Sequence, residues 1–427
     1  MKLIYRISFV LAFVAVLAVI IAFARGYRID LKKQSLTSTG IIAVSAYPKA
    51  AKVYINGQLK GVSDINLTLP PGTYEVEVNK DGYTNWKKTV ILKGELVLVL
   101  DVLLYPLNPS LSPLTNLAVS RAFAVPQSDK ILLFSEQEDK LKDGIYLFES
   151  SNNPLSFFTP VKLIILKKNL EASLGSINFK EIEIDVSPDA KEAIFSFNTL
   201  TGNVAYLLSL NPQNNRASNL TEEENVSFFD ISDSKETLIQ AWTSEKEELN
   251  QKILAVYPKE IAKVASDSFH TVEFSPDETK LLYLAKKTTT LPQAIRPPLI
   301  AVNQTEEVRN IVENSLYIYD KKEDRNYKIS WKSDVGSLMI NNQSSLQTSN
   351  FEPQTSISWY SDSKHLVINE GKKISFIDYD NLNKQTVFSG AFDESFFKVR
   401  SDGKILILTN LNPDANKFPD LYAVGIR

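Results

Sequence analysis

The sequence predicts a mainly β protein: an N-terminal transmembrane helix, a small β-sandwich, then a β-propeller of six blades, with seven as the alternative. Three observations predict it. Residues 7–24 are an 18-residue run without charge. Residues 41–106 hold short alternating strands with turn residues at about 10-residue spacing. From residue 113 to residue 427 one turn-and-strand unit recurs at distances that suit four-stranded blades.

The helix comes first. Between Ile7 and Ala24 the only polar residue is Ser8. At 1.5 Å per residue the run spans about 27 Å, close to the roughly 30 Å thickness of a hydrocarbon core. The run, with Ile7, Phe9, Leu11, Phe13, Val16, Ile20 and Ala24 as its anchor residues, is apolar all round, which argues against an amphipathic core helix. Ala22-Phe23-Ala24 fits the small-x-small cleavage rule, so a cleaved signal peptide is the alternative to a retained anchor. Arg25 and Arg28 after the run weigh against export by the positive-inside rule, but long C-terminal domains translocate largely regardless of flanking charge. The reading adopted is a single-pass anchor over residues 1–33, with the later domains extracytoplasmic. Six residues precede the span, so a sensor role would need a separate signalling subunit.

Composition narrows the chemistry. The 427 residues include no cysteine and two histidines, His270 and His365, which excludes disulfide frameworks, Cys-ligated metals and thiol nucleophiles. The net charge of −3 divides into +5 over residues 1–33 and −8 over the rest. An acidic body is a poor partner for nucleic acid.

Residues 34–40 are polar and read as a linker. Ile42, Val44 and Ala46 then alternate, and Val53 and Ile55 lead into Asn56-Gly57, a two-residue hairpin signal because both positions tolerate positive φ. Ile65, Leu67 and Leu69 run into Pro70-Pro71-Gly72, which launches Tyr74, Val76 and Val78; Asp81-Gly82 turns again, and Thr89–Leu104 supplies the last strands. These strands predict an antiparallel sandwich over residues 41–106. Pro48, Ala51, Asn56-Gly57, Gly61, Pro71-Gly72-Thr73-Tyr74 and Gly82-Tyr83 resemble the PEGA domain, although its opening tetrapeptide is here Pro48-Lys49-Ala50-Ala51. The resemblance covers about 65 of 427 residues. It implies an exported, envelope-associated protein and no catalysis. Tyr54, Tyr74, Tyr83 and Trp86 are either packing aromatics or a carbohydrate-stacking platform.

Leu107–Pro113 is proline-rich and marks a boundary. Beyond it, a Ser/Pro-Asp turn precedes a dense apolar strand six times, with aspartates Asp129, Asp189, Asp233, Asp277, Asp362 and Asp402. Their separations are 60, 44, 44, 85 and 40 residues. The aspartate bonds its own downstream backbone, and the following run is apolar at nearly every position, as a strand covered on both faces requires. Gly144–Phe148, Val204–Leu208, Leu316–Asp320 and Ile374–Asp378 supply a second strand signature. Together the units resemble TolB-like β-propeller repeats, with their Ser-Pro-Asp-Gly-Lys turn. A partial copy at Ile329–Asp334 sets the seven-blade alternative.

The 85-residue gap holds an insertion at 286–315, with Gln304–Val312 read as one short helix. Loops of this length in compact folds are often functional, and Arg296, Pro297, Pro298, Glu306 and Glu307 are its candidate interaction residues. Catalytic signatures are absent from the sequence: there is no Gly-x-Ser-x-Gly elbow, His-Glu-x-x-His or phosphate loop. Asp378-Tyr379-Asp380 and Asn412–Asn416 approach calcium-loop spacing without its glycine and glutamate, and the sequons Asn66-Leu67-Thr68 and Asn225-Val226-Ser227 are of a kind chance supplies. No cofactor and no metal are expected. The function read from the sequence is non-enzymatic: a membrane-anchored propeller that binds a protein or a cell-wall polysaccharide. The alternatives are an envelope hydrolase or lyase using the channel, near His270, and a sensor ectodomain.

Overall fold

A computed structural model describes residues 2–24, 27–30, 35–137, 140–149, 161–199, 202–210, 229–300, 303–330, 357–414 and 417–426. They fall into two compact units: residues up to 108 together with 295–306, and residues 109–294 together with 307–426.

In the first unit, helix α1 (Lys2–Ala24) contains an 18-residue stretch, Ile4–Ile21, long and apolar enough to cross a membrane and with none of it buried. Strands β1 (Tyr27–Asp30) and β2 (Ser35–Ser38) pair antiparallel. The sandwich follows. One sheet holds β6 (Ile65–Leu69), β3 (Gly40–Tyr47) and β9 (Val97–Leu103); the other holds β5 (Gln58–Val62), β4 (Lys52–Ile55), β7 (Gly72–Asn79) and β8 (Trp86–Leu92). Alternation sets its faces: Ile42, Val44 and Ala46 of β3 are buried, while Ile41, Ala43 and Ser45 are only half-buried. The buried set meets Val53, Val76, Val78, Val90 and Leu100 in one core. One pairing departs from the antiparallel expectation. β3 and β9 run parallel, with Ile42 opposite Leu98, because β9 enters its sheet after the chain has crossed over from β8.

The second unit is a β-propeller built from four-stranded antiparallel sheets, of which the described residues hold five. Blade 1 is β11–β14 (Val119–Ala124, Ile131–Ser135, Gly144–Phe148, Val161–Leu166) and blade 2 is β15–β18 (Glu183–Val186, Glu192–Thr199, Gly202–Ser209, Phe229–Asp230). Blade 3 is β19 (Phe269–Phe274), β20 (Lys280–Ala285), β23 (Leu316–Asp320) and β24 (Arg325–Lys328); β21 (Thr289–Thr290) and β22 (Asn310–Ile311) pair within its insertion. Blade 4 is β25–β28 (Ile357–Trp359, His365–Asn369, Lys373–Asp378, Gln385–Ser389). Blade 5 joins β29 (Phe397–Val399), β30 (Ile405–Thr409) and β31 (Asp420–Gly425) to β10 (Ser110–Pro113) from the start of the unit. That last pairing, Leu111 opposite Val424, ties the two ends of the unit together. The proline-rich boundary at Leu107–Pro113 thus supplies a closing strand.

The dense apolar runs are the second strands. β12, β26 and β30 are buried at every position, and β12 contributes to the cores shared with both neighbouring blades. One core spans blades 1 and 2, another joins blade 1 to blade 5, and a third joins blades 3 and 4.

Two expectations are corrected. Ser232-Asp233-Ser234 does not turn into a strand: it precedes helix α2 (Lys235–Leu254), and α3 (Lys259–Ser268) follows. The Glu- and Lys-rich run from Ser244 to Lys252 favours helix and lacks the β-branched residues a blade strand needs, with Glu236 in the first turn and Lys252 in the last. The six-turn count therefore includes one turn that starts no blade strand. Gln304–Val312 likewise forms no helix; Asn310 and Ile311 pair with Thr290 and Thr289, and the Val308 amide bonds the Asn326 carbonyl, so its donors are already taken by neighbouring strands. The partial copy at Ile329–Asp334 and the sequon at Asn225 lie partly or wholly outside the described residues, as does part of Asn412–Asn416.

Candidate functional site

The repeat turns show how the sequence unit works. In blade 2, Ser187 Oγ donates to Asp189 Oδ1 at 2.8 Å, and the Lys191 amide donates to the same carboxylate at 3.1 Å. Blade 3 repeats this with Ser275 to Asp277 at 2.8 Å and the Thr279 amide to Asp277 at 3.1 Å. The amides of Lys364 and Lys404 use Asp362 and Asp402 in the same way, at 2.9 and 3.1 Å. Burial works against the Asp277 charge, but bonds from Ser275 and Thr279 outweigh it and hold its carboxyl well below the usual range. Asp129 is used differently: it accepts the Ser401 amide of blade 5 at 3.0 Å. Other turns also reach across blades. Lys130 Nζ donates to the Ala190 carbonyl at 3.0 Å, and the Asp277 amide donates to Ser363 Oγ at 3.0 Å. The expected turn aspartates other than Asp233 therefore sit in turns that fasten blades to one another on one face of the ring.

The inner strands are polar. Arg121 on β11 donates to the carbonyls of Phe179 and Ile182 at 3.1 and 2.6 Å, with its guanidinium 5.5 Å from the Phe134 ring. Glu273 on β19 accepts the Trp359 amide at 3.0 Å and Ser358 Oγ at 3.1 Å from blade 4, while burial pushes its carboxyl up. On β29, burial lowers the Lys398 ammonium against the opposing pull of Glu273 and Asp129. Asp185 on β15 is raised to about 6 by burial, against Lys235 and with Glu183. His270 lies on β19 as the sequence suggested; partial desolvation, then Lys286 and Lys246, push its imidazole down. Arg121 and Glu273 bond neighbouring segments and thus hold the lining in place, which makes the inner wall a rigid surface.

His365 is elsewhere. On β26 it is 5% exposed, with Nδ1 2.6 Å from Asp362 and Nε2 3.3 Å from Asp378. Burial opposes its charge, yet the two carboxylates outweigh burial and raise it to about 9. A ring clamped by two carboxylates beneath the surface has no free nitrogen to act as a base. Asp378, one of the calcium-spacing residues, is taken up by His365 and by Asn383 Nδ2 at 2.8 Å. Among the described residues no group of three or more His, Asp or Glu is placed to hold a metal ion.

The insertion residues separate. Ile295–Glu306 belongs to the first unit, where the Gln304 side-chain amide makes both hydrogen bonds to the Ile91 backbone, at 2.5 and 2.6 Å, and Lys88 Nζ donates to Asn303 at 3.0 Å. Arg296, Pro297, Pro298 and Glu306 are exposed. Glu307 lies in the second unit, facing Arg309 at 3.0 Å and Arg325 at 3.7 Å. Sequence spacing could not reveal the Gln304 pairing, because an amide imitating a strand has no periodic signal.

The anchor residues Ile7, Phe9, Leu11, Phe13, Val16 and Ile20 are between 55% and 76% exposed, and the Ala24 side chain lies outside the described residues. In the sandwich, Ala51 is buried and its amide donates to Ser63 Oγ at 3.1 Å. Asn56 and Gly57 take positive φ, and Asn56 Oδ1 accepts the Glu75 amide at 2.8 Å. Gly61 lies on β5, and Pro71-Gly72 leads into β7, where Tyr74 donates to the Pro70 carbonyl at 2.8 Å. Gly82 turns with φ +82° ahead of Tyr83. Trp86 is in the core, and Tyr74 and Tyr83 pack against it, so these three act as packing aromatics.

No curated protein matches the chain. Solved structures similar to it include a protein assigned as TolB from Agrobacterium tumefaciens, at 11% identity, TM-score 0.21, over 70% of this chain and 76% of that one. The β-propeller domain of the Trilobed protease from Pyrococcus furiosus aligns at 11% identity, TM-score 0.22, over 90% and 93%. An auxiliary nutrient binding protein from Bacteroides ovatus aligns at 9% identity, TM-score 0.26, over 91% and 97%. Scores this low carry no argument about function, and the propeller rests on strand order and register. The family comparison falls on the sandwich with the Asn56-Gly57 hairpin, the Pro71-Gly72 launch and the Gly82-Tyr83 turn: residues 39–107 match the PEGA domain.

Proposed function

We propose that this chain is a membrane-anchored extracytoplasmic protein whose propeller binds an envelope protein or polysaccharide without bond chemistry. The observation that carries the reading is α1, an apolar helix exposed over the whole of Ile4–Ile21 and attached to two β units. Bare apolar surface on that scale calls for a lipid environment. The PEGA match and the rigid, cross-bonded blades fit a module that presents a platform. The test is proteinase digestion of intact cells with membrane fractionation. The expected result is a membrane-bound protein whose body is cleaved from outside; a body protected until the cells are broken would overturn it. A pull-down from envelope extracts, with and without residues 286–315, then tests whether the insertion selects the partner.

A further inference from the structure

Blade 1 and blade 5 meet at a cleft of about 520 Å³, at the ends of the blades opposite the Asp129 and Asp402 turns. Its walls come from the segment before β11, the β12–β13 connection, Lys167 just after β14, and the segment leading into β31 with Asp420. The acids in it are already committed. Asp143 accepts the Gln137 amide at 2.6 Å, and Asp420 accepts the Leu117 amide at 2.6 Å and Thr115 Oγ1 at 3.0 Å. Glu136 faces Lys167 at 3.7 Å. Two exposed lysines at the rim, Lys140 and Lys417, have no acidic partner within 4.0 Å among the described residues. Lys417 is instead held 5.0 Å over the ring of Phe418, a half-buried aromatic that walls the same cleft.

We propose that this cleft binds an acidic polysaccharide, taking a sugar ring against Phe418 and its carboxylate between Lys140 and Lys417. The acids keep the walls in place through backbone bonds, so they need not move to admit the ligand. Among the described residues of the cleft, the uncommitted charge facing solvent is cationic and selects an anion. Phe418 supplies the flat apolar face that sugar C–H bonds pack on, and the Asn116 amide on the same wall can bond ring hydroxyls. This assignment deepens the proposed binding role and rests on it.

The experiment titrates the full-length protein in detergent micelles with oligogalacturonate, with neutral oligogalactan of equal length and with oligoglutamate. The expected result is oligogalacturonate binding that weakens with added salt and falls about tenfold or more in the double variant Lys140→Glu/Lys417→Glu, which is about 1.4 kcal/mol or more. Phe418→Ala should weaken it also, while the melting temperature of each variant stays at the parent value. Oligogalactan should bind at least about tenfold more weakly. Equal binding of the two sugars, tighter binding of oligoglutamate, or a folded double variant that binds as the parent does would each overturn the assignment. If envelope partners are recovered undiminished with the double variant, the cleft assignment falls while the binding role stands. A body found inside the cell would sink the role, and the titration would still decide the cleft.

Discussion

The glycine turns at Gly57 and Gly82 of the sandwich and the aspartate turns of the propeller solve the same problem with different residues, although the sandwich also places Ala50, Asn56, Asp64 and Glu95 at positive φ. In the sandwich, the left-handed turn positions include Gly57 and Gly82, at φ +76° and +82°. In the propeller repeat, the position after the turn aspartate is also left-handed, yet it holds Ala190, Glu278 and Ser363 at φ +54°, +55° and +60°, with Gly403 at +81°. A side chain there costs on the order of 1 kcal/mol, and the aspartate's bonds to downstream amides hold the turn against that cost. Gly403 keeps its glycine for a further reason: an added Cβ would lie 2.7 Å from the Tyr360 hydroxyl of blade 4. The two regions differ in burial too. Sandwich strands alternate, while second strands of the propeller are covered on both faces.

That contrast can be broken at four points, from largest to smallest effect. Phe134 is fully buried in the core shared by blades 1 and 2, 5.4 Å from the Phe179 ring. Phe134→Ala should cost about 3–5 kcal/mol by denaturant melts, whereas Val99→Ser on the open face of the sandwich, at a residue 61% exposed, should stay within about 0.5 kcal/mol.

The next largest effect is the blade 4 histidine. Its folded value, about 9, lies above its ordinary 6.5, so its contribution is complete below about 6.5 and is lost as pH rises through about 9. Unfolding measured across that window should show a decline of up to about 3 kcal/mol that His365→Gln flattens. A decline of the same size in the variant would place its origin elsewhere.

Asp185 has the opposite sense. Its carboxyl is raised to about 6, so the folded protein favours the protonated form and loses stability as pH rises from about 3.8 through 6. Asp185→Asn should therefore gain roughly 1–2 kcal/mol at pH 7, after discounting for solvent screening, and nothing near pH 4. A gain independent of pH would rule out ionisation as its source.

The smallest effect tests the turns directly. Glu278→Gly should raise stability by about 0.5–1 kcal/mol, and Gly57→Ala should lower it by about 1 kcal/mol, because a Cβ added at Gly57 would meet no non-neighbouring atom within 4 Å and only its φ opposes a side chain. Matching signs for the two substitutions would show that backbone strain does not govern these turns.

Much of this architecture was legible in the residues. Alternation at Ile42-Val44-Ala46 and the unbroken run Ile131–Phe134 announced one-sided and two-sided strands, since a side chain's surroundings follow the two-residue period of the backbone. The Ser-Pro-Asp turns were legible because each aspartate bonds residues two positions away. Asp233 misled for the same reason: Ser-Asp-Ser before a strand and before a helix look alike, and only the Glu/Lys run beyond it distinguishes them. The sites were less legible. Asp362 is a local partner of His365, three positions before it, but the carboxylate that clamps Nε2 comes from another strand, 13 positions along.

By itself the sequence determined the membrane-length helix, the alternating sandwich with its PEGA spacing, and the repeating blade unit, because each is encoded by neighbours in the chain. Tertiary structure decided which strand closes the propeller, that β3 and β9 run parallel, that Gln304 caps the Ile91 backbone, and that Lys140 and Lys417 share a cleft. Those outcomes depend on groups brought together from distant positions, and spacing along the chain carries no record of which distant groups will meet.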